Sequence, residues 1–179
     1  LLLSIFAQGI FIFDPVTGNK QPFTIIDKEV NERLCLHGNT VNVYRNTPNT
    51  ILLLGNHVYC YHLKEKQFSI VSEEKGINII EGSLKAIACD GHSTYLNDIK
   101  HIYELDNHSN KLRVLFTAQD DMNINSVSMD ESGCFWIGSN FGLVSYHPAT
   151  QKQKKISTSL FIEVSSLIFD QKGKIWVGG

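Results

Sequence analysis

The sequence predicts an all-β fold, a β-propeller fragment of four-stranded antiparallel blades with about 40–44 residues per blade, the ring being incomplete in this chain. Three observations lead there. Landmark residues recur at a fixed spacing: Asp130 and Asp170, Gly133 and Gly173, Trp136 and Trp176, Gly138 and Gly178 are each 40 residues apart. Each unit holds short runs rich in Val, Ile, Phe and Tyr, bounded by Gly, Asn, Asp and Ser, as strands are. No sustained helical periodicity is present, and a parallel β-helix would repeat over a shorter period.

The units follow in order. Leu1 to Ala7 has the apolar look of the end of a secretion signal, but no initiator Met or basic stretch precedes it. Leu1 to Ile5 therefore reads as a strand. Gly9 to Gly18 matches Gly142 to Gln151 at an offset of 133. Val58 to His62 and Ile102 to Asp106 fill the same slot between them. Asp90 lies 40 residues before Asp130, and Tyr95 takes the Trp position after a one-residue slip. The whole of 1–179 is read as one partial propeller: 1–30 a partial blade, 41–72, 84–117 and 125–157 blades, and 164–179 the start of the next. Both ends look like cuts through a longer pattern.

Within 125–157, strands are expected at 125–129, 134–138, 142–147 and 152–157. Asp130 to Gly133 forms the first turn, with Asp bonding its own backbone and Gly supplying the positive φ. Pro148 to Thr150 forms a later one. Trp136 and Trp176 are expected to fill the wedge between adjacent sheets, and Gly138 and Gly178 to permit a close backbone approach or a bulge. Lys152 to Lys155 reads as an outermost strand, where Lys discourages edge-to-edge pairing. The run Glu73 to Gly76 reads as a solvated loop.

Bulk properties narrow the function. Hydrophobic residues make up 42% and charged residues 19%, as in a folded domain. A formal charge of -2 gives no electrostatic reason to expect nucleic acid. No apolar run approaches the ~18 residues of a membrane helix. The cysteines at 35, 60, 89 and 134 lack CxxC spacing and read as small buried hydrophobes. Their redox state is left open.

The pattern Asp-x-x-Gly-x-x-Trp-x-Gly, then Gly142-Leu143 and the aromatic-polar-Pro turn Tyr146-His147-Pro148, resembles the two-component regulator propeller repeat. Asp130 to Pro148 and Asp170 to Gly179 are its best copies. Gly9 to Thr17 fits its second half, and the middle units lack the Trp and its following Gly. The Trp-Asp mark of WD40 repeats, which share the period, is missing.

The resemblance implies the periplasmic sensor portion of a hybrid two-component sensor histidine kinase, the extracytoplasmic part of an inner-membrane protein. It implies a small-molecule or oligosaccharide ligand, no nucleic acid in this segment, membrane contact only through segments outside this chain, and a possible homodimer. No cofactor, metal or catalytic residue is expected.

Loops at one end of a propeller converge, so their polar and aromatic residues are candidate ligand contacts. Asn125 and Glu163 stand in loops entering first strands, as does Asn123. Asn97, Asp98, Asn140 and Phe141 stand between second and third strands. Asn and Asp are also turn formers.

Two other classes stay open. One is a propeller lyase-like enzyme with a His and metal site, for which seven His are available at 37, 57, 62, 92, 101, 108 and 147. However, His62 and His147 share a strand-end slot with Asp14 and Asp106, and no HExxH or GxSxG motif occurs. Asp120 and Asp121 lack the spacing of a calcium loop. The other class is a protein-interaction propeller.

Overall fold

The computed structural model describes residues 2–5, 9–23, 42–55, 57–74, 77, 79, 84–156 and 163–179. Cys35, His37, Lys75, Gly76 and the ends of some expected blades lie outside them. All eighteen elements among the described residues are β-strands. The chain divides into two compact units, 1–85 and 86–179, where the sequence reads as one continuous segment. Repeat arrays are held by contacts between neighbouring sheets, so compact subsets arise readily.

In the first unit, β1 (Leu2–Ile5), β2 (Gly9–Phe13) and β3 (Lys20–Pro22) form an antiparallel meander, with Leu2 opposite Ile12 and Ile5 opposite Gly9. A second meander holds β4 (Asn42–Thr47), β5 (Thr50–Leu54), β6 (Val58–His62) and β7 (Gln67–Ile70) in sequence order. The short strand β8 (Ser72–Glu73) follows. Ile10, Ile51, Leu53 and Tyr59 form the core, with Phe23, Val43, Tyr61, Leu63 and Phe68 packed against it. The Phe23 and Tyr61 rings meet edge to face at 5.0 Å, the arrangement their quadrupoles favour.

The second unit repeats the meander. Its first sheet runs β9 (Lys85–Cys89), β10 (Ser93–Asn97), β11 (His101–Asp106) and β12 (Lys111–Thr117). Its next runs β13 (Ile124–Met129), β14 (Phe135–Ser139), β15 (Gly142–His147) and β16 (Lys152–Ile156). These bounds agree to within a residue with the strands expected over 125–157. The pair β17 (Ser166–Phe169) and β18 (Ile175–Gly178) comes last. β16 is an edge strand of its sheet and carries Lys152, Lys154 and Lys155 in the open.

Adjacent sheets stack through rings. Phe116 of β12 and Tyr146 of β15 lie 5.0 Å apart, and Tyr146 Oη donates to the Leu115 carbonyl at 2.7 Å. Tyr95 of β10 meets Phe135 of β14 edge-on at 5.3 Å. Farther along, Ser126 Oγ accepts from Leu167 N at 3.1 Å, and Ser128 Oγ donates to Leu167 O at 3.2 Å.

The Trp positions differ from the sequence expectation. The ring that fills the wedge completely is Phe135, one residue earlier and fully buried. Successive side chains of a strand point to opposite faces. Phe135 therefore packs toward the preceding sheet, whereas Trp136 faces the following one and meets Phe169 at 6.3 Å. Trp136 is half-buried, and Trp176 is 62% exposed. Burying a Phe side chain stabilises by roughly 2–3 kcal/mol.

Two turn types recur. Asp130 Oδ1 accepts from Ser132 N at 2.9 Å, Ser132 Oγ at 2.6 Å and Cys134 N at 3.0 Å, while Gly133 sits at φ 78°. Asp170 repeats this with Lys172 N and Lys174 N, both at 2.9 Å. The turns β2–β3, β6–β7, β11–β12 and β15–β16 place Gly18, Lys66, Asn110 and Gln151 at φ between 52° and 72°. Asp14, His62, Asp106 and His147 each stand four residues before them, at strand ends.

Candidate functional site

The turns between second and third strands carry buried polar groups. Asp98 is fully buried after β10. Its Oδ1 accepts from Lys100 N at 2.7 Å and His101 N at 2.6 Å, and its Oδ2 accepts from Tyr103 Oη at 2.6 Å. His101 Nδ1 lies 3.3 Å from both oxygens. Burial pushes this carboxyl up, but the bonds from Tyr103, Lys100 and His101 outweigh it and hold the group below its ordinary value of 3.8. Asn97, also buried, donates through Nδ2 to the Asp98 carbonyl at 3.0 Å. Both residues thus brace their own turn.

That turn supports its neighbour. Lys100 Nζ donates to the carbonyls of Asp120 and Met122, at 2.7 Å each. The two bonds hold the loop after β12, where Asp120 takes φ 23°. From the other side, Asn140 Nδ2 donates to the Asp121 carbonyl at 2.8 Å, and its Oδ1 accepts from Asn123 N at 2.7 Å. Phe141 follows and is 51% exposed. Asn125 reaches the entry loop of β17, donating through Nδ2 to Val164 O at 3.1 Å and Glu163 Oε1 at 3.3 Å. Six of the seven candidate contacts therefore fall into three pairs, Asn97 with Asp98, Asn140 with Phe141, and Asn125 with Glu163, and the seventh, Asn123, meets Asn140 through its main-chain N–H.

Beside Phe141 a groove of about 510 Å³ opens in the wedge between the β9–β12 and β13–β16 sheets. Phe116, Met122 and Val144 make its apolar floor. Gln119, Asp120 and Asp121 of the loop after β12, and Gln153 and Lys155 of β16, complete its lining. Pockets of this volume hold small organic ligands. Sequence reasoning singles out Phe141 but misses the floor, which is assembled from two strands and a loop with no local motif. The adjacent Asp120 and Asp121 are the one local mark, and they lack the spacing of a calcium loop.

The repeat landmarks form a second constellation. Trp136 Nε1 donates to Asp130 Oδ2 at 2.8 Å, and Trp176 Nε1 to Asp170 Oδ2 at 3.1 Å. Tyr95 Oη donates to Asp90 Oδ2 at 3.0 Å. Desolvation, then the bond to Asp90, pushes the Tyr95 phenol up to about 12. A Cβ built on Gly138 would lie 2.6 Å from Val164 Cγ1, and one on Gly178 would lie 2.5 Å from Ser166 Oγ. Both glycines thus face a first strand or its entry loop at close range.

Among the described residues, no three His, Cys, Asp or Glu side chains converge as an ion-binding group. No helix among them is long and apolar enough to cross a membrane.

No family model and no curated protein matches the sequence. Solved structures do. The extracellular domain of the putative one component system BT4673 from B. thetaiotaomicron superimposes with a TM-score of 0.72 at 17% identity, over 99% of this chain and 24% of that one. The extracellular domain of the putative hybrid two component system BT3049 from the same organism gives 0.66 at 14% identity, over 98% and 24%. The WD40 beta propeller domain of Doa1 gives 0.58 at 15%, over 79% and 52%. The fold is that of a β-propeller. The chain spans about a quarter of the bacterial extracellular domains it matches.

Proposed function

We propose that this propeller segment belongs to the extracytoplasmic, periplasmic input region of a two-component signalling receptor, and that it senses an oligosaccharide or similar small molecule. The observation that carries this reading is the match along nearly the whole chain to extracellular domains of hybrid two component systems, at TM-scores of 0.71 for BT4673, which is also described as a one component system, and 0.66 for BT3049. The repeat marks Asp130 to Pro148 point the same way. The segment contributes binding surface and no chemistry of its own. Ligand binding shifts the balance between two arrangements of paired receptor protomers, by as much as its affinity for the two differs. Asn140 and Phe141, beside an open groove, are the best placed of the candidate contacts; Asn125 and Glu163 are secondary ones.

Calorimetry of the complete extracellular region against defined oligosaccharides tests the proposal. Saturable binding without turnover is the expected result. Cleavage of a glycan would replace it with the lyase-like reading, and absence of binding across the panel would overturn it.

A further inference from the structure

We infer that the groove between the β9–β12 and β13–β16 sheets is a saccharide subsite, with Phe141 as the platform under a sugar ring. The inference rests on the sensing reading above and gives it a location. That location is the open wedge between two consecutive sheets of the second unit.

Three observations carry it. First, Phe141 is a large apolar ring left 51% exposed while lining a recess of about 510 Å³. An exposed ring at a concave surface is unusual in a sheet whose other Phe, Phe135, is fully buried. The C–H face of a pyranose is apolar, and its stacking on such a ring removes both from water.

Second, the walls are held before any ligand arrives. Lys100 Nζ fixes the carbonyls of Asp120 and Met122 from one side, and Asn140 fixes Asp121 O and Asn123 N from the other. These bonds use backbone atoms of the loop, so they leave the side chains of Asp120 and Asp121 available to a ligand. A wall ordered in advance does not charge its ordering entropy to the binding step.

Third, the polar groups suit a neutral, hydroxyl-rich molecule. The carboxylates of Asp120 and Asp121 in the loop wall accept hydrogen bonds, Lys155 Nζ in the β16 wall donates them, and Gln153 does both. An anion is repelled by the first wall and a cation by the second. Sugar hydroxyls donate and accept, so they satisfy both walls with no net charge to desolvate.

The test uses the complete extracellular region and an array of defined neutral di- to hexasaccharides, followed by calorimetry on the best binder. Phe141→Ala is expected to weaken that binding by about tenfold or more. Asp121→Asn keeps the backbone carbonyl that Asn140 holds, and is expected to weaken it several-fold with an unchanged melting temperature. Gln153→Ala on the exposed edge strand should also weaken it.

If a saccharide binds and all three variants retain affinity within about twofold, the groove is overturned while the sensing reading stands. If no saccharide binds to the wild-type protein, both fall. Binding of a free amino acid that is lost in Phe141→Ala would overturn the saccharide assignment, since a zwitterion could pair with Asp121 and Lys155 together.

Discussion

Trp136 donates its indole hydrogen to the carboxylate of Asp130 across a six-residue span, and this bond ties the turn after β13 to the second strand of the sheet. The same carboxylate gathers Ser132 and Cys134 on its other oxygen. Asp130 is thus the hub of the turn, and Trp136 is both a lid on the hub and a contact for Phe169. Trp176 makes the same bond from an exposed position.

The pair predicts a graded response. Trp136→Phe removes the donor and keeps most of the ring, so it should cost about 1 kcal/mol. Asp130→Ala strips acceptors from several donors and should cost roughly 2–3 kcal/mol. Trp176→Phe, largely in water, should stay within about 0.5 kcal/mol. Urea denaturation of the full chain measures all three. Equal losses at Trp136 and Trp176 would show that the ring's contact with the next sheet contributes nothing.

Asp98 predicts a pH dependence. Its folded-state value lies below the ordinary 3.8, because the bonds from Tyr103, Lys100 and His101 prevail over burial. The ionised group therefore adds stability at pH above about 3.8, and that stability is lost as pH falls through the lower folded value. Asp98→Asn should be less stable than wild type by about 2–3 kcal/mol at neutral pH. The gap should narrow steadily under acid, below about pH 4. Parallel melting curves at several pH values would show a constant gap if the charge plays no part.

Much of the fold is legible because its determinants are local. Asp130 and Gly133 encode a turn that any chain with those residues in that order can make, and the repeat of the pair at Asp170 and Gly173 carries the period. Tyr95 is legible only through the slip in spacing, yet its hydroxyl reaches Asp90 as the indoles reach their Asp residues. The wedge-filling ring is less legible. Both Phe135 and Trp136 are large and adjacent, and strand alternation alone does not say which face meets which neighbour. The groove is least legible, since Phe116, Met122, Val144 and Gln153 become neighbours only when two sheets stack.

Gly138 predicts a clash that a second substitution relieves. A methyl there would sit 2.6 Å from Val164 Cγ1 and 3.1 Å from the Val164 carbonyl. Val164 is fully buried, so it has no free direction of retreat. Gly138→Ala should destabilise by about 1–3 kcal/mol. Adding Val164→Ala removes the closer atom and should restore part of that loss, so the double variant should be more stable than the sum of the single changes implies. Strict additivity would mean that the carbonyl contact sets the cost alone.

The turns β2–β3, β6–β7, β11–β12 and β15–β16 predict a gain. Gly18, Lys66, Asn110 and Gln151 all take left-handed backbone, at φ 72°, 55°, 52° and 54°. Gly adopts this region freely and Asn tolerates it, whereas Lys66 and Gln151 pay about 1 kcal/mol for their Cβ. Main-chain bonds close these turns at Lys66 N to His62 O, 2.8 Å, and Asn110 N to Asp106 O, 2.9 Å, while in the Gln151 turn Thr150 N donates to His147 O at 3.3 Å. Neither side chain is needed for the turn. Lys66→Gly and Gln151→Gly should therefore each raise stability by about 0.5–1 kcal/mol, part of the relief being offset by the greater freedom of Gly in the unfolded chain. Gly18→Ala should lower it by a similar amount. Denaturation midpoints decide the matter: a loss in Gln151→Gly would mean that its side chain holds the β15–β16 turn, and that the shared φ of these four residues is not what shapes it.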